Sequence, residues 1–304
     1  MRLKTTTKKR SLFLAAISMM AGFFILIILL IILTSSTVKP NNDPEPQITD
    51  NQITNLTNNY NISEFYTEEI PLLSNNENNS VSILMYHHVG TEYDGYLQQY
   101  PNRIDSNVVK EIDFAEQMKY LSENDYNTSN MFTLITAYKN GYKLPAKTVV
   151  LTFDDGYRDF YTAAFPILKK YHIHATVNII TNIIGEPNIL TWDMLKEIKN
   201  SGLVTIGSHT MSHKSLPSLT ASKLKEELEG SKKILESNLG IKVTDFCYPS
   251  GAFNDKVVQA VKDAGYTDAI TTIDGKWKFN NDLYKIPRQR ISYGKSITYF
   301  KNSL

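Results

Sequence analysis

Two adjacent acidic residues follow an apolar segment of the chain. The segment Val149–Phe153 is mostly apolar and β-branched, which predicts a buried strand, and Asp154, Asp155 and Gly156 come directly after it. Neighbouring side chains at the end of a strand point in divergent directions, so one carboxylate can reach a metal ion while the other faces a reacting atom. A bound cation would also relieve the repulsion between the two charges. The simpler alternative is an acidic pair that begins a helix near a turn.

Two histidines follow a second predicted strand. The strand Val204–Gly207 is succeeded by the sequence SHTMSH, in which His209 and His213 are four residues apart. Imidazoles at this spacing can converge on one ion, as they do on one face of a helical turn. Two histidines and one carboxylate leave coordination positions open, which is typical of a catalytic rather than a structural metal site. We expect a divalent ion there, with Zn2+ preferred and Co2+, Ni2+ or Fe2+ as alternatives, because such ligands do not select sharply among metals.

The elements that would hold these groups alternate between short apolar runs and amphipathic segments. The predicted strands are Val81–Tyr86, Thr148–Phe153, Ala175–Ile180, Val204–Gly207, Thr244–Tyr248, Ala269–Ile273 and Lys285–Ile291. The predicted helices are Asn107–Asn124, Asp159–Tyr171, Trp192–Ser201, Ala221–Leu239 and Asp255–Ala264. This alternation favours an α/β fold with a parallel sheet and outer helices, either open or closed into a barrel. In such folds the reactive groups collect at the carboxyl ends of the strands, where we expect both motifs to meet.

The first 80 residues differ in composition from the rest. Residues 1–11 are basic, and residues 12–33 carry no charge and are dominated by Leu, Ile, Phe and Ala, which predicts a cytoplasmic tail and a transmembrane signal anchor. A cleaved signal peptide is the alternative, although this apolar run exceeds the usual length of about 7–15 residues. Residues 34–80 are rich in Asn and predict a flexible stalk. The folded domain, residues 81–304, is then expected outside the cell membrane.

Charge and cysteine content exclude other classes of protein. The chain has 32 Lys and Arg against 31 Asp and Glu, so no overall basic field favours a nucleic-acid partner. The single cysteine, Cys247, excludes an internal disulfide, and its apolar neighbours predict a buried, inert thiol.

His172 and His174 precede a predicted strand at its amino end, which is the wrong end of a barrel for catalysis, so we interpret them as surface residues. We expect the folded domain to be monomeric.

The two motifs together carry a family resemblance. TFDDG at Thr152–Gly156, combined with SHTMSH, resembles the first two motifs of the polysaccharide deacetylases, the NodB-homology domains of carbohydrate esterase family 4. The resemblance extends from Ile83 to Ile291 and implies a distorted (β/α) barrel. It also implies a metal-dependent N-deacetylase that acts on extracellular polysaccharide or peptidoglycan containing N-acetylglucosamine. Carried over residue by residue, it makes Asp154 the general base and makes metal ligands of three residues, namely Asp155, His209 and His213.

The third motif of the family is altered in this chain. The loop FCYPSG, residues 246–251, resembles it in its proline and glycine, and the N–H of Ser250 would stabilise the oxyanion. Cys247 stands where many members have an arginine that pairs with the catalytic aspartate. Arg288 and Arg290 share one face of a predicted strand. We expect Arg288 to replace the missing arginine, with Arg290 as the second choice and an exposed strand face as the alternative.

The residue that would act as general acid also departs from the family pattern. No histidine follows His213, whereas many members have a late histidine in that role. The opening LMYHHV, residues 84–89, resembles that of the branch that deacetylates poly-N-acetylglucosamine. We expect His87, rather than His88, to face the site and supply the proton; a histidine that only hydrogen-bonds a loop is the alternative. Asp274 and Trp277 loosely occupy the place of the fourth family motif.

Three functions are therefore compared. The first is N-deacetylation of a glycan. The second is glycan binding by a barrel without turnover, which the altered third motif favours and the intact Asp and His motifs oppose. The third is an iron oxygenase with two histidines and one carboxylate, which would not need the adjacent base. A wall of aromatic residues that stacks on sugar rings is a further expectation, with a place in the core as the alternative; its members would be Tyr157, Trp192, Tyr248 and Phe253.

Overall fold

The structure, a computed structural model, describes residues 80–90, 107–279, 281–292 and 294–304. The predicted tail 1–11, the predicted anchor 12–33 and all of the predicted stalk 34–80 except Ser80 lie outside these ranges; Ser80 begins the first strand. Among the helices of the described residues, none has the length and apolarity that crossing a bilayer requires.

The described chain alternates strands and helices as the sequence predicts. The strands are β1 Ser80–Tyr86, β2 His88–Gly90, β3 Val108–Lys110, β4 Asn127–Ser129, β5 Thr148–Phe153, β6 Ala175–Ile179, β7 Val204–Ser208, β8 Asp245–Cys247, β9 Asp268–Asp274, β10 Trp277–Lys278 and β11 Ile286–Arg290. The α-helices are α1 Glu111–Glu123, α2 Met131–Lys139, α3 Phe165–Tyr171, α4 Trp192–Asn200, α5 Ala221–Leu239, α6 Asp255–Asp263 and α7 Ile297–Ser303, and a π-helical turn, Phe160–Ala164, precedes α3.

Seven of these strands close into a parallel barrel. The hydrogen-bonded order is β1, β5, β6, β7, β8, β9 and β11, and β11 pairs in parallel with β1 to complete the ring. These are the seven strands that the sequence predicts, so the α/β barrel is confirmed. Two short strands extend this sheet outside the ring. Strand β4 pairs in parallel with the first half of β5, and β10 pairs antiparallel with the start of β1.

Successive side chains along each strand point to opposite faces of the sheet and so join two different hydrophobic cores. Outward residues such as Leu84, Leu151 and Phe153 join the larger core between the sheet and the helices. Inward residues such as Ile83 and Val150 fill the barrel itself, and α2 packs residues into that inner cluster, so α2 closes the amino end of the barrel. The carboxyl ends of the strands are left for polar groups.

Some local predictions are wrong. The predicted helix Asn107–Asn124 begins with a strand, because Val108–Lys110 pairs in parallel with His88–Gly90, and the helix itself starts at Glu111. The helix α2 was not predicted; Asn130 caps it by accepting a hydrogen bond from the N–H of Thr133. Strands β2, β4 and β10 have two or three residues, too few for alternation to reveal them.

Candidate active site

The two carboxylates follow strand β5 at the carboxyl end of the barrel, which is called its mouth below. Asp154 continues the inward series of Val150 and Thr152, and its side chain is only 3% exposed. Asp155 and Gly156 then take φ angles of 76° and 77°, in the left-handed region that turns the chain sharply. Both carboxylates are therefore buried beside the mouth rather than exposed on a turn. The alternative of a simple helix-initiating pair does not describe this geometry.

Asp154 is held by three hydrogen bonds from two side chains. Arg288 donates from one terminal nitrogen to Oδ1 at 2.9 Å and from the other to Oδ2 at 2.7 Å. The Nδ2 of Asn178 donates to Oδ1 at 2.9 Å. Burial alone would raise the pKa of Asp154, but the Arg288 guanidinium outweighs it and holds that pKa well below its usual range. Asp154 is therefore ionised at any physiological pH.

Arg288 fills the inside of the barrel. Its side chain is fully buried, and it also donates to the carbonyl of Thr271 at 2.8 Å and to the hydroxyl of Thr152 at 2.9 Å. The Sγ of Cys247, itself buried as expected, lies 3.5 Å from the same guanidinium. The contact with Asp154 that the sequence predicts for Arg288 is present. Arg290 instead donates to the side-chain oxygen of Asn107.

This pairing predicts a large effect of Arg288→Met on stability. The variant leaves the Asp154 carboxylate buried without its cation, which costs about 3–5 kcal/mol in the free energy of unfolding. The methionine keeps most of the side-chain volume, so the loss reports on charge rather than on a cavity. Chemical denaturation of the metal-free protein at pH 7 measures it.

The pH dependence of this difference in the free energy of unfolding is a second test of the charge pairing. In the wild type the lowered pKa of Asp154 contributes stability that is present above the unfolded pKa and is lost as pH falls through the folded pKa. Without Arg288, burial raises the pKa of Asp154, so protonation then favours the folded state. The difference between wild type and Arg288→Met should shrink between pH 7 and pH 5. A difference that stays constant or grows would show that Arg288 acts by packing alone.

The second carboxylate meets the two histidines. Oδ1 of Asp155 lies 3.3 Å from Nε2 of His209 and 3.5 Å from Nε2 of His213. This oxygen is buried and accepts no well-aligned hydrogen bond from the described residues. Ligand atoms about 2.1 Å from a tetrahedral ion lie roughly 3.4 Å from one another, so the spacing fits a metal centre. The three predicted ligands are thus brought together, and their chemistry suits a divalent cation.

The backbone orients the first of these imidazoles. Nδ1 of His209 lies 2.7 Å from the carbonyl oxygen of Cys247, so Nδ1 carries the proton and Nε2 is left to face Asp155. Burial alone would lower the pKa of His209, but the Cys247 thiol and Asp155 raise it well above its usual value. Burial and then His209 lower the pKa of His213. The site therefore attracts one positive charge, which a metal ion can supply.

His87 and His88 face in different directions. Nε2 of His87 lies 3.9 Å from Oδ2 of Asp154, beside the site. Burial lowers the pKa of His87, against the opposing charges of Asp154 and Asp155. The ring of His88 instead stacks on Tyr157 with centroids 3.6 Å apart, and its Nδ1 lies 2.5 Å from an oxygen of Asp159. His87 is accordingly the histidine of the two that approaches Asp154, as the sequence predicts.

Ser250 lies on a tight turn that follows β8. Its φ is 55° and that of Gly251 is 69°, and a Cβ at Gly251 would approach Oγ1 of Thr272 to 2.0 Å, so only glycine fits there. The two hydrogen bonds that close the turn are donated by the N–H groups of Gly251 and Ala252. The turn itself therefore does not use the N–H of Ser250, which is the group expected to bind the oxyanion.

Other predicted residues lie away from this site or within the core. Trp277 is fully buried in the inner cluster, while Asp274 is exposed. Tyr248 is buried against Phe253, and Trp192 is half-buried at the start of α4. His172 and His174 line a separate cavity of about 290 Å³ beside β4 and the start of β5. The aromatic wall stays a prediction, with Tyr248 better described as core.

Two residues of the site were not predicted from the sequence. Asn178 is a fully buried amide that fixes one oxygen of Asp154. Glu227 is a buried carboxylate that accepts hydrogen bonds from the histidine-bearing loop. Each carries a signal in the sequence: Asn178 interrupts the apolar strand Ala175–Ile179, and Glu227 shares a helical face with Leu224 and Leu228.

Comparison with known proteins agrees with this arrangement. The family model described as polysaccharide deacetylase matches residues 141–269. The chain is 33% identical over 218 residues to the putative polysaccharide deacetylase YxkH of Bacillus subtilis (strain 168), which covers 72% of this chain and 74% of that protein. It is 32% identical over 197 residues to the poly-beta-1,6-N-acetyl-D-glucosamine N-deacetylase of Staphylococcus aureus (strain MRSA252), which covers 60% of this chain and 68% of that enzyme.

Comparison with solved structures agrees with the sequence comparisons. The solved structure of the Streptococcus pyogenes deacetylase PplD in complex with acetate superposes with a TM-score of 0.68 at 30% identity. That alignment covers 74% of this chain and 98% of PplD. The barrel, the paired motifs and these relatives lead to one conclusion. The chain belongs to the polysaccharide deacetylase family, the NodB-homology hydrolases of carbohydrate esterase family 4.

Proposed function

We propose that this protein is a metal-dependent N-deacetylase that removes acetyl groups from N-acetylglucosamine in an extracellular polysaccharide or peptidoglycan and releases acetate. One observation supports this most strongly. A buried, ionised Asp154 lies next to a separate cluster of Asp155, His209 and His213 with the spacing of metal ligands. A glycan-binding barrel without turnover would not need a charged base inside the same mouth.

The metal would be held by Asp155 Oδ1 and by the Nε2 atoms of His209 and His213. A divalent cation there, with zinc preferred, would polarise the acetamide carbonyl and lower the pKa of a water molecule at the site. The Cys247 carbonyl and Asp155 keep His209 in the tautomer that this ligation requires.

Asp154 accepts the proton from the attacking water, and the geometry selects one of its oxygens. Oδ1 already accepts hydrogen bonds from both Arg288 and Asn178, whereas Oδ2 accepts one from Arg288. Oδ2 therefore keeps a lone pair for the water proton. It is also the oxygen that lies 3.9 Å from His87.

The remaining groups complete the hydrolysis. As a C–O bond forms between water and the acetyl carbon, negative charge grows on the carbonyl oxygen, where the N–H of Ser250 donates a hydrogen bond. His87 is held neutral by burial in the resting site, so it passes on the proton that Asp154 has received. Protonation of the nitrogen allows the C–N bond to break, which gives acetic acid and an amine; transfer of the acid's proton to the amine leaves acetate and an ammonium group on the sugar.

The relatives and the N-terminal sequence support the substrate and the location. The Staphylococcus aureus relative is a poly-beta-1,6-N-acetyl-D-glucosamine N-deacetylase, and PplD was solved with acetate, the product proposed here. The predicted anchor, residues 12–33, and the predicted stalk, residues 34–80, would hold the barrel as a monomer on the outer face of the cell membrane. From there its mouth would meet wall and secreted glycans.

Acetate release by the purified full-length protein tests this function. With Zn2+ or Co2+ present, oligomers of N-acetylglucosamine in β-1,6 or β-1,4 linkage should release acetate and gain free amines, and a chelator should stop the reaction. Retention of activity with redox-inactive zinc would also exclude an iron oxygenase. One bound metal equivalent with no acetate from any glycan would instead favour the glycan-binding alternative.

A further inference from the structure

The loop that carries both histidine ligands has a strained backbone. It runs from Ser208 to His213, and the residues Thr210 and His213 have φ angles of 68° and 53°. Residues other than glycine are disfavoured in this left-handed region and persist there only when surrounding contacts hold them. The separation of the two imidazoles therefore depends on what fixes the loop.

One face of helix α5 contacts this loop at Ser208, Met211 and Ser212. Oε2 of Glu227 accepts hydrogen bonds from the backbone N–H groups of Met211 and Ser212, both at 2.9 Å, and its other oxygen accepts one from the Ser212 hydroxyl. One turn later Ser231 shares a hydrogen bond of 2.7 Å with Ser208, the residue before His209. Positions 227, 230 and 231 share a helical face, so the loop is held by a rigid element.

Gly230 on the same face makes room for the loop. A Cβ built at Gly230 would lie 2.3 Å from the sulfur of Met211, which is far inside van der Waals contact. Met211 stands midway between His209 and His213. The helix therefore fixes the backbone of this residue through Glu227 and its side chain through Gly230.

Two carbonyl groups of the loop are fixed by a different element, the turn Thr181–Ile183. The carbonyl of Thr210 accepts from the N–H of Thr181 at 3.1 Å, and that of Met211 accepts from the N–H of Asn182 at 2.9 Å. Glu227 is thus the acceptor for the loop's N–H groups, while the turn at Thr181 supplies donors for its carbonyls. Loss of the Glu227 carboxylate would leave two N–H donors of the loop without their acceptor.

From these contacts we propose that Glu227 is a positioning residue for the metal centre. It sets the separation of the His209 and His213 imidazoles, and thereby the affinity for the cation, without touching the cation itself. This inference rests on the proposed function only in so far as it needs the metal site. Partners of this kind typically change metal affinity by about 10- to 100-fold.

Zinc titration of the purified full-length protein tests the proposal, with calorimetry giving Kd and denaturation of the metal-free protein giving stability. Glu227→Met keeps the length of the side chain but removes both acceptors, and should weaken zinc binding by about 10- to 100-fold. Glu227→Gln keeps a carbonyl acceptor and should stay closer to the wild type. Glu226→Gln is the matched control, because Glu226 is exposed on the same helix and pairs with Lys223, and it should leave Kd unchanged.

Gly230→Ala provides an independent variant. Alanine favours the helix by about 1 kcal/mol, which offsets part of the cost of displacing Met211, so the metal-free protein should fold, while the displaced Met211 should weaken zinc binding. If Glu227→Met fails to fold, Glu227→Gln tests the carboxylate, and Gly230→Ala tests whether this helical face sets the position of the loop.

The outcomes are distinguishable. Weaker zinc binding in the Glu227→Met and Gly230→Ala variants, with wild-type affinity in Glu226→Gln, supports the proposal. Wild-type affinity in the folded Glu227→Met variant, even with lower stability, would assign Glu227 a purely structural role and overturn it. A wild-type protein that binds no zinc would overturn both this inference and the proposed function.

Discussion

The Asp154→Asn variant is expected to bind zinc as the wild type does and to lose activity by about 10²- to 10⁴-fold, the usual contribution of a general base. The amide has no lone pair on its nitrogen that can take the proton from water. Asp155, His209 and His213 keep their positions, so the cation should remain. The Kd for zinc and the rate of acetate release, measured on the same sample, separate binding from chemistry.

The same variant should also lose stability. Arg288 would be left buried opposite a neutral amide, and removing one partner of a buried ion pair costs about 3–5 kcal/mol. Activity must therefore be normalised to the folded fraction. Asp193→Asn is the matched control, because Asp193 is exposed on α4 and among the described residues its ion pair is with the exposed Lys196, and it should leave the rate unchanged and the stability nearly unchanged. Hydrolysis by Asp154→Asn at the wild-type rate would show that the base is another group.

The His213→Asn variant is expected to lose both the metal and the activity. His213 supplies one of the three ligands, so its removal should weaken zinc binding by more than the roughly 10- to 100-fold expected for a residue that only positions a ligand. Asparagine is chosen because His213 has a φ of 53°, a left-handed conformation that asparagine tolerates. The loop backbone can then keep its conformation while the imidazole is removed. Zinc affinity and acetate release both measure the effect.

His172→Asn gives a matched control at the opposite end of the barrel. His172 has nearly the same φ, 54°, but it is exposed and ends helix α3. Its replacement should leave zinc affinity and activity unchanged. Wild-type zinc binding in His213→Asn would mean that the cation is held by other ligands, such as the neighbouring group of Asp154, His209 and Cys247.

Much of this arrangement could be predicted from strand periodicity. Asp154 and Arg288 both continue inward-facing series, one along β5 and the other along β11, so both side chains can be placed inside the barrel once the strands are recognised. The three ligands lie in the loops that follow β5 and β7, two strands whose carboxyl ends lie at the mouth, so their proximity could be predicted. Strand periodicity and parallel order placed these residues at one end of the barrel, whereas the roles of the ligands and the choice of Arg288 as the partner of Asp154 came from the resemblance to the polysaccharide deacetylases.

The contacts of Asn178 and Glu227 depend on three-dimensional features that periodicity does not define. Asn178 reaches Asp154 because the pairing of β5 with β6 aligns Phe153 with Val177, and this register is not encoded locally. Glu227 lies on an apolar helical face, which marks it as unusual but does not identify the loop that it contacts. Helix α2 was missed because Thr133, Ile135 and Thr136 are β-branched within a short apolar run, which reads equally well as a strand.

Anomalous X-ray scattering from zinc-grown crystals of the protein tests the central claim most directly. The account predicts one zinc peak at the mouth of the barrel, about 2.0–2.2 Å from an oxygen of Asp155 and from Nε2 of both His209 and His213. Asp154 should remain unligated beside it, paired with Arg288. A zinc peak at other residues, or imidazoles turned away from Asp155, would contradict the metal centre and the chemistry derived from it.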